Sequence, residues 1–191
     1  MASDVSICSQ ALLMLGADPI SSLSEDESDN AKLCANLWPL VRDAVLRAGT
    51  WHCATKRVRL APLVDAPAFD YAYQFVLPSD WLRTLRVGEY GQEPDYRMAG
   101  GRVLCDMASL PLLYVFRNED PASYDSLLMD AMVHAMAARL AYPVTESSSE
   151  AARLRAEFER LMRQARAVDG QEDPPETLGD ESLYGAGFTG R

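Results

Sequence analysis

The stretch Trp38-Pro39-x-x-Arg42-Asp43-x-x-Leu46-Arg47-x-x-x-Trp51, then Arg57, Leu60-Ala61-Pro62 and Tyr71-x-Tyr73-x-Phe75-x-Leu77-Pro78-x-Asp80-x-Leu82-Arg83, decides the fold. Its first half has the three-to-four spacing of a helix that ends at an aromatic. Its second half has the two-residue period of a strand and is closed by a proline. Helix, short strand, loop and aromatic strand therefore succeed one another. Nothing in the stretch sets a nucleophile beside a base, and its landmarks are structural residue types.

Toward the N-terminus, Val5, Cys8, Leu12 and Leu15 recur at helical spacing over residues 4–15, with Asp4 as a cap and Gly16 as a stop. Ser24-Glu25-Asp26-Glu27 has the form of a capping box, with carboxylates at the positive end of the helix dipole. It predicts a second helix to about Ala48, carrying Ala31, Cys34, Trp38, Val41, Val45 and Ala48 on one face. Pro39 should kink or split that helix, because its missing N–H breaks a backbone bond. Gly49 ends it.

Residues 50–117 read as strands. Val58 and Leu60 alternate with Arg57 and Arg59, and Tyr71, Tyr73, Phe75 and Leu77 should share one face. Leu82 to Val87 and Leu112 to Phe116 predict two more strands. Tyr96-Arg97-Met98 and Arg102 to Cys105 flank Ala99-Gly100-Gly101 as a hairpin. Asp120-Pro121 restarts helix, which should end before Pro143, with Leu127, Leu128, Ala131, Met132, Ala135, Met136 and Leu140 inward. Ser147 to Glu150 is a second capping box, opening a helix to about Val168. Ala151, Leu154, Phe158, Leu161 and Ala165 face inward there, with Arg155/Glu159 and Glu159/Arg163 as outer pairs.

The expected fold class is mainly α: an antiparallel helical bundle, residues 1–49 and 118–168, with a small antiparallel β subdomain, 50–117, inserted between helices 2 and 3. Residues 169–191 read as an extended C-terminal arm. Their composition cannot bury enough to fold alone. Leu178, Leu183, Tyr184 and Phe188 are spaced like anchors that order on a partner's groove.

The formal net charge is -10, and Lys32 and Lys56 are the only lysines. Acidity argues against coating nucleic acid or an anionic membrane, which both require neutralising phosphate. Arginine suits bidentate pairing with carboxylates, as at subunit contacts. Met1 to Asp4 has no basic segment before an apolar core, and no apolar run reaches the ~18 residues of a membrane span, so a soluble chain made in the cytoplasm is expected. Cys8, Cys34, Cys53 and Cys105 are widely spaced and read as small hydrophobes rather than metal ligands.

The search for chemistry returns little. Gly185-Ala186-Gly187-Phe188-Thr189-Gly190 spells a dinucleotide motif, but no strand feeds its glycines. His134 lies within an apolar helix and reads as a satisfied interior histidine, and His52 as a packing group. Glu25, Asp26, Glu27 and Asp29 could supply the carboxylate pair of a glycoside hydrolase, about 5 to 9 Å apart, but capping explains them better. Arg57, Arg59, Arg83 and Arg86 gather on one face of the β subdomain, and Arg153, Arg160, Arg163 and Arg166 line the last helix. Salt bridges between subunits account for them better than nucleic acid does. No catalytic residue, cofactor or metal is expected.

Taken in order, the landmarks resemble those of the head-to-tail adaptors of short-tailed bacteriophages, the tail tubular protein A or head completion family. The likeness runs from Ala11-Leu12-x-x-Leu15-Gly16 and Ile20-x-x-Leu23-x-Glu25-Asp26, through Ala31-x-x-Cys34-x-x-x-Trp38-Pro39-x-x-Arg42-Asp43-x-x-Leu46-Arg47 and Trp51-x-x-Ala54-x-x-Arg57. It continues through Leu77-Pro78-x-Asp80-x-Leu82-Arg83, Tyr114 to Pro121, Leu128 to Pro143 and Ala165 to Asp173.

The resemblance implies a virion protein forming a homo-oligomeric ring of about twelve copies, a closed heterologous assembly. Such a ring docks on the portal protein, extends the DNA channel without sequence-specific binding, and receives the tail nozzle or tube. The C-terminal arm is implied to reach along the portal through Leu178, Leu183, Tyr184 and Phe188. On charge complementarity, apart from the resemblance, Arg153, Arg160 and Arg163 of the last helix are expected to meet Glu25 and Asp26 of a neighbouring copy. The alternatives are a virion-associated cell-wall hydrolase, a neck protein of long-tailed phages and a cytosolic helical interaction module.

Overall fold

The computed structural model describes residues 2–24 and 28–172, with side chains to residue 165. Among these residues are four α-helices, α1 (Asp4–Met14), α2 (Asp29–Ala48), α3 (Ser126–Thr145) and α4 (Ser148–Glu172). Between α2 and α3 run six strands: β1 (Thr55–Leu60), β2 (Tyr73–Val76), β3 (Trp81–Val87), β4 (Tyr96–Ala99), β5 (Arg102–Cys105) and β6 (Leu110–Phe116). They form two antiparallel three-stranded sheets, ordered β1-β6-β3 and β2-β5-β4.

The chain is therefore mixed α/β, 47% helical and 21% strand, which corrects the expectation of a mainly α bundle with one small β subdomain. The reason lies in β6. As the central strand of its sheet it is buried along one face and, at Val115, on the other as well, so Leu110 to Phe116 is apolar throughout and lacks the alternation that marks a half-buried strand. One face holds Leu110, Leu112 and Tyr114 in a core of their own with Phe75, Val87, Val103 and Cys105. The other face sends Val115 into the helical core. The strands thus make two layers and help to close the helical core.

α3 is the centre of the helical layer, packed against α1, α2 and α4. Leu128, Met132, Met136 and Leu140 are fully buried, and Val133, Ala137 and Ala141 bury its other sides. A helix apolar nearly all round must be enclosed by others.

Several boundaries differ from the sequence expectation. Ser3, not Asp4, caps α1, accepting from the Ser6 backbone N–H at 3.1 Å while Ser6 Oγ accepts from Ser3 N–H at 2.9 Å. Ser28 caps α2 by accepting from Ala31 N–H at 3.1 Å. Ser24 precedes the helix, and Glu25, Asp26 and Glu27 lie outside the described residues. Asp120-Pro121 caps only a 3-10 turn, Pro121–Ser123, and Asp125 caps α3 by accepting from Leu128 N–H at 2.7 Å. Ser147 does accept from Glu150 N–H, at 3.2 Å, to open α4.

Neither proline breaks its helix. Pro39 lies within α2 and Pro143 within α3, which ends at Glu146 in the left-handed conformation, φ 55°. Pro39 is exposed, and the carbonyl that Pro143 leaves without an N–H partner belongs to exposed Arg139. Water can satisfy a carbonyl on that face. β2 is shorter than expected and excludes Tyr71 and Leu77. Its outward Gln74 is buried as well, because the 61–72 loop crosses it: Gln74 Nε2 donates to Asp65 O and Leu63 N–H to Gln74 O, both at 2.8 Å. Leu178, Leu183, Tyr184 and Phe188 lie outside the described residues.

Candidate functional site

The landmarks quoted first turn out to be joints between the layers. Arg42 is 8% exposed. It donates to Asp43 Oδ1 at 3.1 Å and reaches Glu119 Oε1 at 3.1 Å, while Arg117 donates to Asp43 Oδ2 at 2.8 Å. This chain of charges bolts α2 to the segment after β6. Burial raises the pKa of Asp4 nearby, against the pull of Trp38 and Arg42. Asn118 donates to Cys53 O at 2.7 Å and Tyr124 to Asn118 O at 2.6 Å.

Asp80 forms a second joint. Lys56 donates to Oδ2 at 2.6 Å and Tyr114 to Oδ1 at 3.0 Å. Burial pushes the Asp80 pKa up, but these two hydrogen bonds outweigh it and leave it below the usual carboxylate value. Burial and the Asp80 carboxylate push Tyr114 up to about 12. Arg83 donates to Gly49 O at 2.8 Å, and Arg47 to Leu82 O.

The strand register then assembles a basic surface. Arg57 pairs with Leu113, Arg59 with Pro111, Arg83 with Val115 and Arg86 with Leu113, across bulges in β3. All four arginines share the face of β1-β6-β3 opposite Leu110, Leu112 and Tyr114: Arg57 and Arg59 by alternation, Arg83 and Arg86 because the bulge between Thr84 and Arg86 shifts the register. Helices cover the Val115 end. At the other end Arg57, Arg59, Arg86, Glu89, Tyr90 and Leu113 line an open groove of about 450 Å³. Arg59 bridges to Glu89 at 2.6 Å, and Arg86 lies over the Tyr90 ring at 5.5 Å. Arg57 has no carboxylate partner among the described residues.

The polar groups of the groove are three guanidiniums, one carboxylate and one phenol over an apolar floor. Such a set takes up an anionic group by charge-assisted, bidentate hydrogen bonds. Sequence reading missed Leu113, Glu89 and Tyr90. Leu113 carried no signal, since a uniformly apolar strand does not disclose which residues face which side.

The other singled-out residues stay apart from this groove. On α4, Arg153 pairs within the helix with Glu150 at 2.6 Å and Glu157 at 3.1 Å, Arg160 donates to Gln164 at 3.1 Å, and Arg163 is exposed. The ion pairs of α4 therefore centre on Arg153, not on Glu159 as expected. His134 is enclosed at the α3–α4 seam, with Nδ1 2.8 Å from Asp130 O and Nε2 3.8 Å from Glu157. Cys8, Cys34 and Cys105 are buried, as read, whereas Cys53 is half-buried. Among the described residues no group of His, Cys, Asp and Glu is arranged to hold a metal ion, and no helix is long and apolar enough to cross a membrane. The chain matches no protein-family model and no curated protein sequence.

Proposed function

We propose that this chain is a structural virion protein, a head-to-tail adaptor that docks as a ring on the portal, extends the DNA channel and receives the tail nozzle or tube. The observation that supports this reading best is the use made of the spaced landmarks. Trp38 and Trp51 are buried, Arg42-Asp43 is the charged joint, and Asp80 and Arg83 tie strands to each other and to the end of α2. A family resemblance carried by joints is one carried by architecture, as befits a protein whose work is to be a part of an assembly.

The charge balance agrees with that work. Each phosphate contact adds salt-dependent affinity, so a basic lumen would retard DNA on its way out. A chain of net charge -10 leaves the lumen acidic when its arginines face other subunits. In this reading Leu178, Leu183, Tyr184 and Phe188 anchor the C-terminal arm along the portal.

The test is the solution mass of the purified chain, alone and mixed with the portal ring from the same source. The reading expects a complex carrying about a dozen copies, the closed ring of a heterologous interface. A chain that leaves the mass of the portal ring unchanged would overturn it.

A further inference from the structure

A closed ring needs two different, complementary patches on every copy. The arginine groove is one of them, and the strand register supplies the other. Tyr73, Cys105 and Tyr96 form one row across β2-β5-β4. Asp70 precedes β2, Asp106 follows β5 and Asp95 precedes β4, so three carboxylates hang from the same end of this sheet. Their closeness is shown by hydrogen bonds: Tyr71 Oη donates to Asp95 Oδ2 at 3.3 Å and Ala72 N–H to Asp106 Oδ1 at 2.8 Å. Asp70, Asp95 and Asp106 are all exposed, and Arg97 is the one guanidinium drawn close to Tyr71.

The two patches belong to different layers. Arg57, Arg59 and Leu113 point away from the core between the sheets, which is filled by the alternate residues Leu112 and Tyr114 together with Phe75 and Val103 of the other sheet. The groove therefore opens on the side away from β2-β5-β4. One copy cannot readily satisfy its own groove with its own carboxylate end, whereas the next copy in a ring can.

We infer that the groove of Arg57, Arg59 and Arg86 receives the Asp70, Asp95 and Asp106 end of the neighbouring copy, forming the contact between β layers around the ring. This rests on the adaptor reading, and it adds a contact separate from the one expected between α4 and the acidic turn before α2. The occupant is a second copy of this chain because the acidic end offers several carboxylates at once to a set of guanidiniums whose Arg57 lacks one. Arg59 and Arg86 keep their Glu89 and Tyr90 contacts and shape the walls.

The experiment reverses charge on each side of the contact. Arg57→Glu/Arg59→Glu alters two exposed residues of an edge strand, and Asp95→Arg/Asp106→Arg alters the facing end. Each full-length variant is mixed with the portal ring and its mass is measured. The unaltered chain should load about a dozen copies. Each variant alone should lose that assembly, and the two variants together should recover it, because their copies can alternate around a ring of even number. Recovery by mixing is a result that misfolding cannot produce. Variants that each assemble like the unaltered chain, or a mixture that stays unassembled while the unaltered chain forms a ring, would overturn this contact and leave the adaptor reading standing. Failure of the unaltered chain to load on the portal would overturn both.

Discussion

Arg117 Nε donates to Asp43 Oδ2 at 2.8 Å across 74 residues of chain, joining the segment after β6 to the middle of α2. Arg42, one residue away, completes the joint with Glu119. The β layer enters and leaves the helical layer at this point, so its placement depends on one buried arginine, Arg42, and the partly exposed charges around it.

Truncation of Arg42 should be the most damaging change to this joint. Removing one member of a buried ion pair leaves its partners desolvated and unpaired. Asp43 and Glu119 keep part of their hydration, with side chains 27% and 67% exposed, which reduces the penalty. Arg42→Ala should cost about 2 kcal/mol in chemical denaturation, against a few tenths for Arg57→Ala on the open surface.

Gly49 ends α2 with no room for a side chain. A Cβ there would lie 2.5 Å from Trp51 Nε1, and that indole donates to Val45 O at 3.2 Å while buried in the core. Its φ of -116° is open to any residue, so the conflict is one of space alone. Gly49→Ala should destabilise by about 1–3 kcal/mol through displaced packing. Loss of the tryptophan near-ultraviolet signal before global unfolding would report it.

The Lys56–Asp80–Tyr114 joint predicts two limbs of a pH profile. The folded Asp80 pKa lies below its unfolded value near 3.8, so its contribution is present above that pH and is lost as pH falls through the folded pKa. The folded Tyr114 pKa lies above its unfolded value of 10.0, at about 12, so stability is held below pH 10 and lost as pH rises toward 12. In stability measured across pH, Asp80→Asn should flatten the acid limb. Tyr114→Phe should flatten the alkaline limb and leave the acid limb sloping.

Arg155, Arg160 and Arg163 are exposed cations of α4, whereas Arg153 is already paired within the helix. On the proposed adaptor function, Arg160→Glu/Arg163→Glu should keep the far-ultraviolet spectrum of the helices and weaken loading on the portal. Arg153→Ala should lower the thermal stability of α4 slightly and leave loading intact. Equal loading by both variants would remove α4 from the subunit contact.

Much of the element order was legible because it rests on local rules. The Gly100-Gly101 hairpin turn holds both glycines at positive φ, 56° and 73°, as a tight turn between β4 and β5 requires. The Ser147 cap and the inward residues of α4 followed from spacing. The face shared by Arg57 and Arg59 was visible in their alternation, whereas the β3 bulge that brings Arg83 and Arg86 to the same face, and the groove beneath it, were not. Caps that compete over a few residues, Ser3 with Asp4, Ser28 with Ser24 and Asp125 with Asp120, were decided by which serine or aspartate met the first free N–H groups.

By itself the sequence determined the order of helices and strands along the chain, since caps, turns and periodicity act over a few residues. Only the tertiary structure decided that the strands form two sheets with a core of their own. It also decided that Pro39 and Pro143 stay within helices, and that Arg42, Asp43, Arg117 and Glu119 close into one joint. These outcomes depend on pairings between residues far apart in the chain, where an all-apolar β6 does not disclose which residue faces which layer and water on an exposed helix face excuses a proline.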